Sequence, residues 1–319
     1  MVLLEMENKV KKINLNHSFI FFLLCNIFSL ITFIINNFTV SPLICLLLIL
    51  SIGVSHGSLD NVKGKKLFKI LGINNFIIFY ISYISIAIVV IILWIILPSI
   101  SLVFFLIVAS YHFGKEDTQF LIIKKSYLDE LLFFIKGTLI VLAPIYFHFE
   151  ETINIFKLLL VDNENFYNFL NYIETNKILL LSVILSTLAH IILFSKNFEI
   201  KKFSIFLDYF SILILNYFFS PLLAFTIYFC FLHSIRHSIS LILELDSYDL
   251  SLGFKKFMKK ALPLTILTAI LCLIALYFIN ITYNFDSSIL KIIFIGLASL
   301  TFPHILLEYL LEKNEKQSN

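Results

Sequence analysis

Residues 75–97 read NFIIFYISYISIAIVVIILWIIL, without a single charge. A helix needs about 20 predominantly apolar residues to cross the hydrocarbon core of a bilayer, and this stretch supplies them. Its apolarity is continuous and does not alternate with period two, so it implies a helix and not the strand of a barrel. Runs of the same kind lie near 19–36, 38–55, 98–113, 131–147, 177–195, 203–219, 221–243, 261–281 and 288–310. About ten spans follow, of which the fourth and fifth, 98–113 and 131–147, are short. The reading is an all-α, polytopic transmembrane helix bundle, residues 1–319 forming a single integral membrane domain.

Composition agrees with that solvent. Hydrophobic residues make up 60% of the chain and charged residues 14%, with a mean hydropathy of +0.96, whereas soluble domains lie near one half and one quarter. The net charge of +3 is small and dispersed, which excludes a nucleic-acid surface. Cys25, Cys45, Cys230 and Cys272 all sit in apolar runs with no C-x-x-C spacing, and read as small buried hydrophobes. Lys9, Lys11 and Lys12 precede the apolar stretch Phe19–Ile35 in the order of a secretion signal. That stretch is long for a signal core and no small-x-small site follows it, so it reads as the first span.

The basic residues test the count independently. Ten spans starting inside put the N-terminus, the C-terminus and the loops after the even spans on the cytoplasmic side. Those segments carry 19 of the 24 Lys and Arg residues, from Lys9 to Lys316, against Lys157, Lys177 and Lys291 opposite. This is the positive-inside pattern, and one miscounted span would scramble it. The outer segment 148–176, with Glu150, Glu151, Asp162, Glu164 and Glu174 among apolar residues, reads as an amphipathic helix lying on the membrane.

Ionisable groups inside spans are costly and mark function by default. Six of the eight histidines share one depth: His56, His112, His190, His233, His237 and His304 all fall toward the inner ends of even-numbered spans. His17 and His148 do not join them and read as interfacial. In GVSHGSLD (53–60) a histidine stands between glycines, where the backbone can bend, and YHFGKED (111–117) repeats the idea. His233 and His237 are four apart, on one helix face. Pro303 precedes His304 where it frees a backbone carbonyl. Neutral imidazoles bind Fe, Zn, Cu or Ni without burying charge. Such ligands usually donate their other N–H to a carboxylate or carbonyl, and Asp60, Glu116 and Asp117 are the candidates. A lone intramembrane histidine more often bonds a neighbouring helix, the simpler reading for His190 and His304. Arg236 is expected to pair with Asp60 or Asp117.

At these residues the sequence resembles the Brp/Blh family of membrane β-carotene 15,15'-dioxygenases. The matching segments are GVSHGSLD (53–60), ASYHFGKED (109–117), YFCFLHSIRH (228–237) and TFPHILLE (301–308), in family order. Tyr111 and Ile235 depart from the Trp and Pro usual there, flanking histidines without replacing them. The resemblance implies a bundle in the cell membrane that binds one Fe(2+) through His56, His112, His233 and His237. It implies β-carotene and O2, drawn from and beside the lipid bilayer, as substrates, with two retinals as products. A functional link to a retinal-binding rhodopsin follows from that product. His304 matches a further family motif without a ligand role assigned to it. Tyr80, Tyr83, Phe104, Phe105, Tyr228 and Phe231 are candidates for an apolar tunnel, although most aromatics here simply face lipid or other helices.

Three other classes compete. A di-iron membrane hydroxylase or desaturase needs several histidine boxes, and only His233/His237 fits one. A glutamate-type intramembrane metalloprotease needs a Glu-Glu pair ahead of an Arg; Glu150-Glu151 lacks the Arg and lies on the wrong side. A metal or proton transporter requires charges within spans, and Asp208 is the one mid-span acid.

Overall fold

A computed structural model describes residues 2–35, 39–122 and 126–318; the side chains of residues 2–7, His56 and 316–318 lie outside the described set. Every regular element among the described residues is helical. In chain order the α-helices are α1 (Val2–Ile34), α2 (Pro42–Leu48), α3 (Asp60–Ile70), α4 (Ile77–Ile96), α5 (Pro98–Glu116), α6 (Tyr127–Phe147) and α7 (Phe149–Leu158). They continue with α8 (Glu164–Thr175), α9 (Ile178–Ser195), α10 (Phe203–Phe218), α11 (Pro221–Ile227), α12 (Ile235–Leu245), α13 (Leu250–Ile279) and α14 (Phe285–Ser318).

Eight helices are long and apolar enough to cross a membrane, and a ninth crossing arises if Pro42–Gly53 and Gly57–Ile70, bent by 42°, count as one broken span. The remaining expected span, 203–219, coincides with α10. Its 16 residues extend about 24 Å at 1.5 Å per residue, short of the roughly 30 Å of a hydrocarbon core. Large apolar side chains cover the outside of the bundle: Phe33, Ile81, Ile95, Leu271 and Phe278 are all exposed. In lipid they need no cover, and the interior is built by close helix contacts and polar bonds.

The closest such contact fixes the helix that carries His112. An ideal Cβ on Gly114 would sit 1.8 Å from the Phe133 carbonyl oxygen, and one on Gly137 1.8 Å from that of Ser110. The backbones of α5 and α6 therefore touch directly, which only small residues permit. The sequence pattern suggested a bend at Gly114; α5 instead runs straight through it, and the glycine is there for approach. Pro303 likewise sits inside an unbroken α14.

At the opposite end the segment 148–176 differs from the expected surface helix. It forms two short helices: α7 buries Thr152, Ile153 and Phe156, while Phe166, Tyr167 and Leu170 of α8 pack on the core. The Trp94 indole N–H donates to the Leu159 carbonyl at 2.9 Å, and the Tyr167 hydroxyl to that of Val161 at 2.7 Å. The connection between them is tied down as a cap on the bundle. The four cysteines are unpaired with one another, three of them buried, as small hydrophobes should be.

Candidate metal centre

The inner end of the bundle is where helical geometry is most irregular. Between α2 and α3 the chain passes through a π-helical turn, Ile49–Gly53, and a 3-10 turn, Val54–Leu59, which contains His56. Between α11 and α12 it makes a second π segment, Tyr228–Ser234, which ends beside His233. Such π segments are rare and gather at functional sites, because the extra residue re-aims the side chains that follow. The two irregular segments pack together. The Ser234 hydroxyl donates to the Gly53 carbonyl at 3.1 Å, and a Cβ on Gly53 would meet the Phe229 ring at 2.6 Å.

Four imidazoles converge from four elements: His112 from α5, His233 from the π segment, His237 from α12 and His304 from α14. All four are buried. Ring centres of His112 and His233 are 5.2 Å apart, those of His112 and His304 5.4 Å, and those of His237 and His304 5.9 Å. The fourth expected ligand, His56, has its side chain outside the described residues. His304, which the spacing left to helix packing, is instead central to the cluster.

Three of the imidazoles are held from behind by a carboxylate, and each carboxylate is held in turn. His304 Nδ1–H donates to both oxygens of Asp60 at 2.9 Å, and the Tyr83 hydroxyl donates to Asp60 Oδ2 at 2.7 Å. His233 Nδ1–H meets Asp117 Oδ1 at 3.1 Å, and the Tyr228 hydroxyl donates to Asp117 Oδ2 at 2.6 Å. His237 Nδ1–H meets Glu116 Oε2 at 3.3 Å, and the Gln119 amide donates to Glu116 Oε1 at 2.5 Å. A carboxylate at this depth is expensive unless it is bonded on all sides. Three repeats of donor, carboxylate and imidazole thus form a costly and specific construction. Its chemical effect is to fix the proton on Nδ1 and the lone pair on Nε2, the arrangement that outer partners impose on metal-binding histidines. Asp60, one turn after His56 in sequence, serves His304, and the His56 side chain lies outside the described residues; Asp117 and Glu116, which follow His112, serve His233 and His237.

A carboxylate that sequence reading passed over completes the group. Ligand atoms of His112, His304 and Glu308 lie within 4.8 Å of one another, as do those of Glu116, His237 and Glu308. The signal was present, since Glu308 follows His304 by four residues and shares its helix face. Chemically, the donor set of imidazole nitrogens with carboxylate oxygen suits a first-row transition metal.

Other expectations are redistributed. Arg236 makes a two-pronged pair with Asp208, at 2.7 and 3.1 Å; it also lies 4.0 Å from the expected Asp117 carboxylate and donates to the Asp117 main-chain carbonyl at 3.2 Å. Asp60 is not its partner. This pairing also explains the mid-span acid as a brace between α10 and α12 and removes the main feature favouring a transporter. His190 bonds the Ser186 carbonyl of its own helix at 2.8 Å and packs on Tyr209, as expected of a packing histidine. His148 bonds the Asn216 carbonyl. His17 is partly buried and reaches the Phe231 carbonyl at 2.8 Å, which ties α1 to the π segment.

Two cavities meet at His112. One, of about 390 Å³, is apolar; Tyr83, Ile88, Leu267, Leu271 and Leu297 form its walls, and His112 and His304 its end. Ile88, Leu267 and Leu271 are also exposed on the flank of the bundle, so this cavity opens toward lipid. The other, of about 630 Å³, is the more polar of the two, with Lys63, Lys115, Glu116, His237, Glu308 and Glu312 in its lining beside apolar residues such as Phe302 and Leu306. Of the aromatic residues proposed for a tunnel, Tyr80 and Tyr83 line the apolar cavity and Phe104 the polar one. Phe105 and Tyr228 are buried in the core, with Phe231 packed against it.

These features define a helical membrane protein with a buried group of imidazoles and carboxylates able to hold a metal at the end of an apolar cavity. The family model described as beta-carotene 15,15'-dioxygenase matches residues 47–312, and the chain belongs to that family. The beta-carotene 15,15'-dioxygenase of an uncultured marine bacterium, 66A03, is 26% identical over 277 residues, covering 82% of this chain and 90% of the relative. No solved structure matches.

Proposed function

We propose that the chain cleaves β-carotene at its central 15,15' double bond with O2, giving two molecules of retinal, and that Fe(2+) is its metal. The observation that carries this reading is the cluster of carboxylate-backed imidazoles lining a largely apolar cavity whose walls at Ile88, Leu267 and Leu271 are exposed on the flank of the bundle. A long hydrocarbon partitions into the bilayer, so a cavity with its mouth between α4 and α13 takes it laterally, without passage through water.

His112, His233, His237 and His304, with His56 from the sequence pattern, are the residues that would hold the ion. When bound, it supplies the activation of dioxygen that a carbon–carbon double bond does not achieve alone. The balance is simple: the C15=C15' bond breaks, each carbon keeps one oxygen atom of O2, and two aldehydes result. No proton enters or leaves, so the reaction requires no acid or base. What the protein contributes is position and dryness. The Tyr83–Asp60–His304 and Tyr228–Asp117–His233 chains hold the imidazoles rigid, and the apolar walls align the polyene and keep water from the reacting carbons.

The setting belongs to the same reading. The protein is a single membrane domain, multi-pass in the cell membrane, crossing ten times with α10 as the short span and both termini inside. Its product suits a retinal-binding rhodopsin as the consumer. Expression in a β-carotene-producing host tests the reaction: loss of colour with accumulation of retinal is expected, whereas intact β-carotene in cells that contain the protein, iron and oxygen would refute it. Reporter fusions after residues 64 and 260 should both read inside; an outside reading at 64 would break the ten-span topology.

A further inference from the structure

Glu308 is the first of three acids along one side of α14 that face lysines of neighbouring helices. Glu308 pairs with Lys63, Glu312 with Lys115 and Glu315 with Lys66, at 2.6, 2.7 and 2.6 Å. Taken as a ladder, these pairs simply fasten the inner ends of α3 and α5 to α14. Glu308 differs from the other two in what else its carboxylate meets. Its Oε1 lies 3.6 Å from His304 Nε2 and 3.7 Å from His237 Nε2. Both imidazoles turn Nδ1 to another carboxylate, Asp60 and Glu116 respectively, so Glu308 faces the edge that carries the lone pair.

Those separations are too long for a hydrogen bond. They lie just above the spacing of neighbours around a shared ion, since donor atoms about 2.1 Å from one metal sit roughly 3 to 3.5 Å from each other. Charge points the same way. A divalent ion among neutral imidazoles leaves its charge uncompensated in a low-dielectric region, and one carboxylate oxygen in direct contact halves it. Lys63 Nζ, 2.6 Å from Glu308 Oε1 and 3.4 Å from His237 Nε2, aims that carboxylate.

We propose that Glu308 is a metal ligand, which makes the centre one of imidazoles plus a carboxylate, with Lys63 as the ligand's positioning residue. This rests on the reading above that the centre holds iron. The test is Fe(2+) affinity of detergent-purified protein, measured by competition with a chromophoric chelator, for the parent and for Glu308→Gln, Lys63→Met and Glu312→Gln. Glu308→Gln, nearly isosteric, is expected to weaken binding at least about tenfold, the floor for losses at groups that only support a ligand. Glu312→Gln is expected to hold the parent affinity within a few-fold, and Lys63→Met, which removes the positioning residue but leaves the carboxylate, to lose affinity by less than Glu308→Gln does. Glu308→Asp keeps the charge for Lys63 but withdraws the oxygen from both Nε2 atoms, and should lose affinity as Glu308→Gln does. Retention of the parent affinity in Glu308→Gln overturns the proposal, and so does an equal loss in Lys63→Met, which would make the pair structural. A parent that binds no Fe(2+) fails the underlying metal reading, and the two failures are told apart by the parent alone.

Discussion

His304 and His190 are equally buried, 4% and 5% exposed, and each lies on an apolar helix. Yet the regions around them differ in kind. Around His190, α9 and α10 pack through an imidazole that bonds a carbonyl one turn back and leans on Tyr209. Around His304, where α3, α5, α12 and α14 meet, the imidazole donates to a carboxylate that a tyrosine also holds, and its other edge faces Glu308. A main-chain carbonyl satisfies a histidine and asks nothing more of it. A carboxylate at membrane depth is costly, and three of them behind three imidazoles form the outer partners that metal-binding histidines typically have. The partner of Nδ1, more than burial, therefore separates a ligand from a strut.

The contrast breaks most visibly at the ligands themselves. His237→Ala removes a coordinating nitrogen while the protein should still insert, since alanine is easier to bury than histidine. Retinal formation in a carotene-producing host is expected to fall to background, and a variant that retains activity would remove His237 from the centre. Next in size is Asp60→Asn, which leaves His304 in place but weakens its support; the Fe(2+) affinity of the purified protein should drop about 10- to 100-fold. An unchanged affinity would mean that Asp60 serves packing alone.

A smaller effect probes the apolar cavity. Leu271→Trp places a larger ring at the lipid-side mouth, and β-carotene turnover should fall several-fold while iron content stays at the parent level. If turnover is unaffected, the hydrocarbon reaches the centre by another path. The smallest effect is expected in the other region: His190→Leu should leave iron content and retinal formation unchanged and shift stability by no more than about 1 kcal/mol. A loss of iron there would erase the distinction between the two regions.

Much of this was legible in the sequence, for identifiable reasons. Spans announce themselves because lipid admits long apolar helices, and the lysines mark one side of the membrane. Three of the four expected ligands, His112, His233 and His237, meet because their segments end at the same depth. What escaped was pairing between elements. Asp60 follows His56 by one turn, yet its carboxylate also reaches His304, 244 residues away in sequence, a contact no local spacing announces. Asp117 and Glu116, adjacent in the chain, serve different imidazoles, His233 and His237, which stand one turn apart on the facing helix. Glu308 was quoted in its motif and overlooked because a helix end rich in acids resembles an ordinary solvated tail, and only the position of Lys63, His237 and His304 sets it apart. Arg236 was assigned to a nearby carboxylate, while Asp208, from a span thought to hold an isolated acid, makes the stronger two-pronged pair.

The central claim is that the inner imidazoles hold the iron on which carotenoid cleavage depends. Metal analysis of purified protein, run beside His112→Ala prepared identically, tests it most directly. The account predicts one iron per chain in the parent and none in the variant. An iron-free parent that converts β-carotene to retinal, or a variant that keeps its iron, would contradict it.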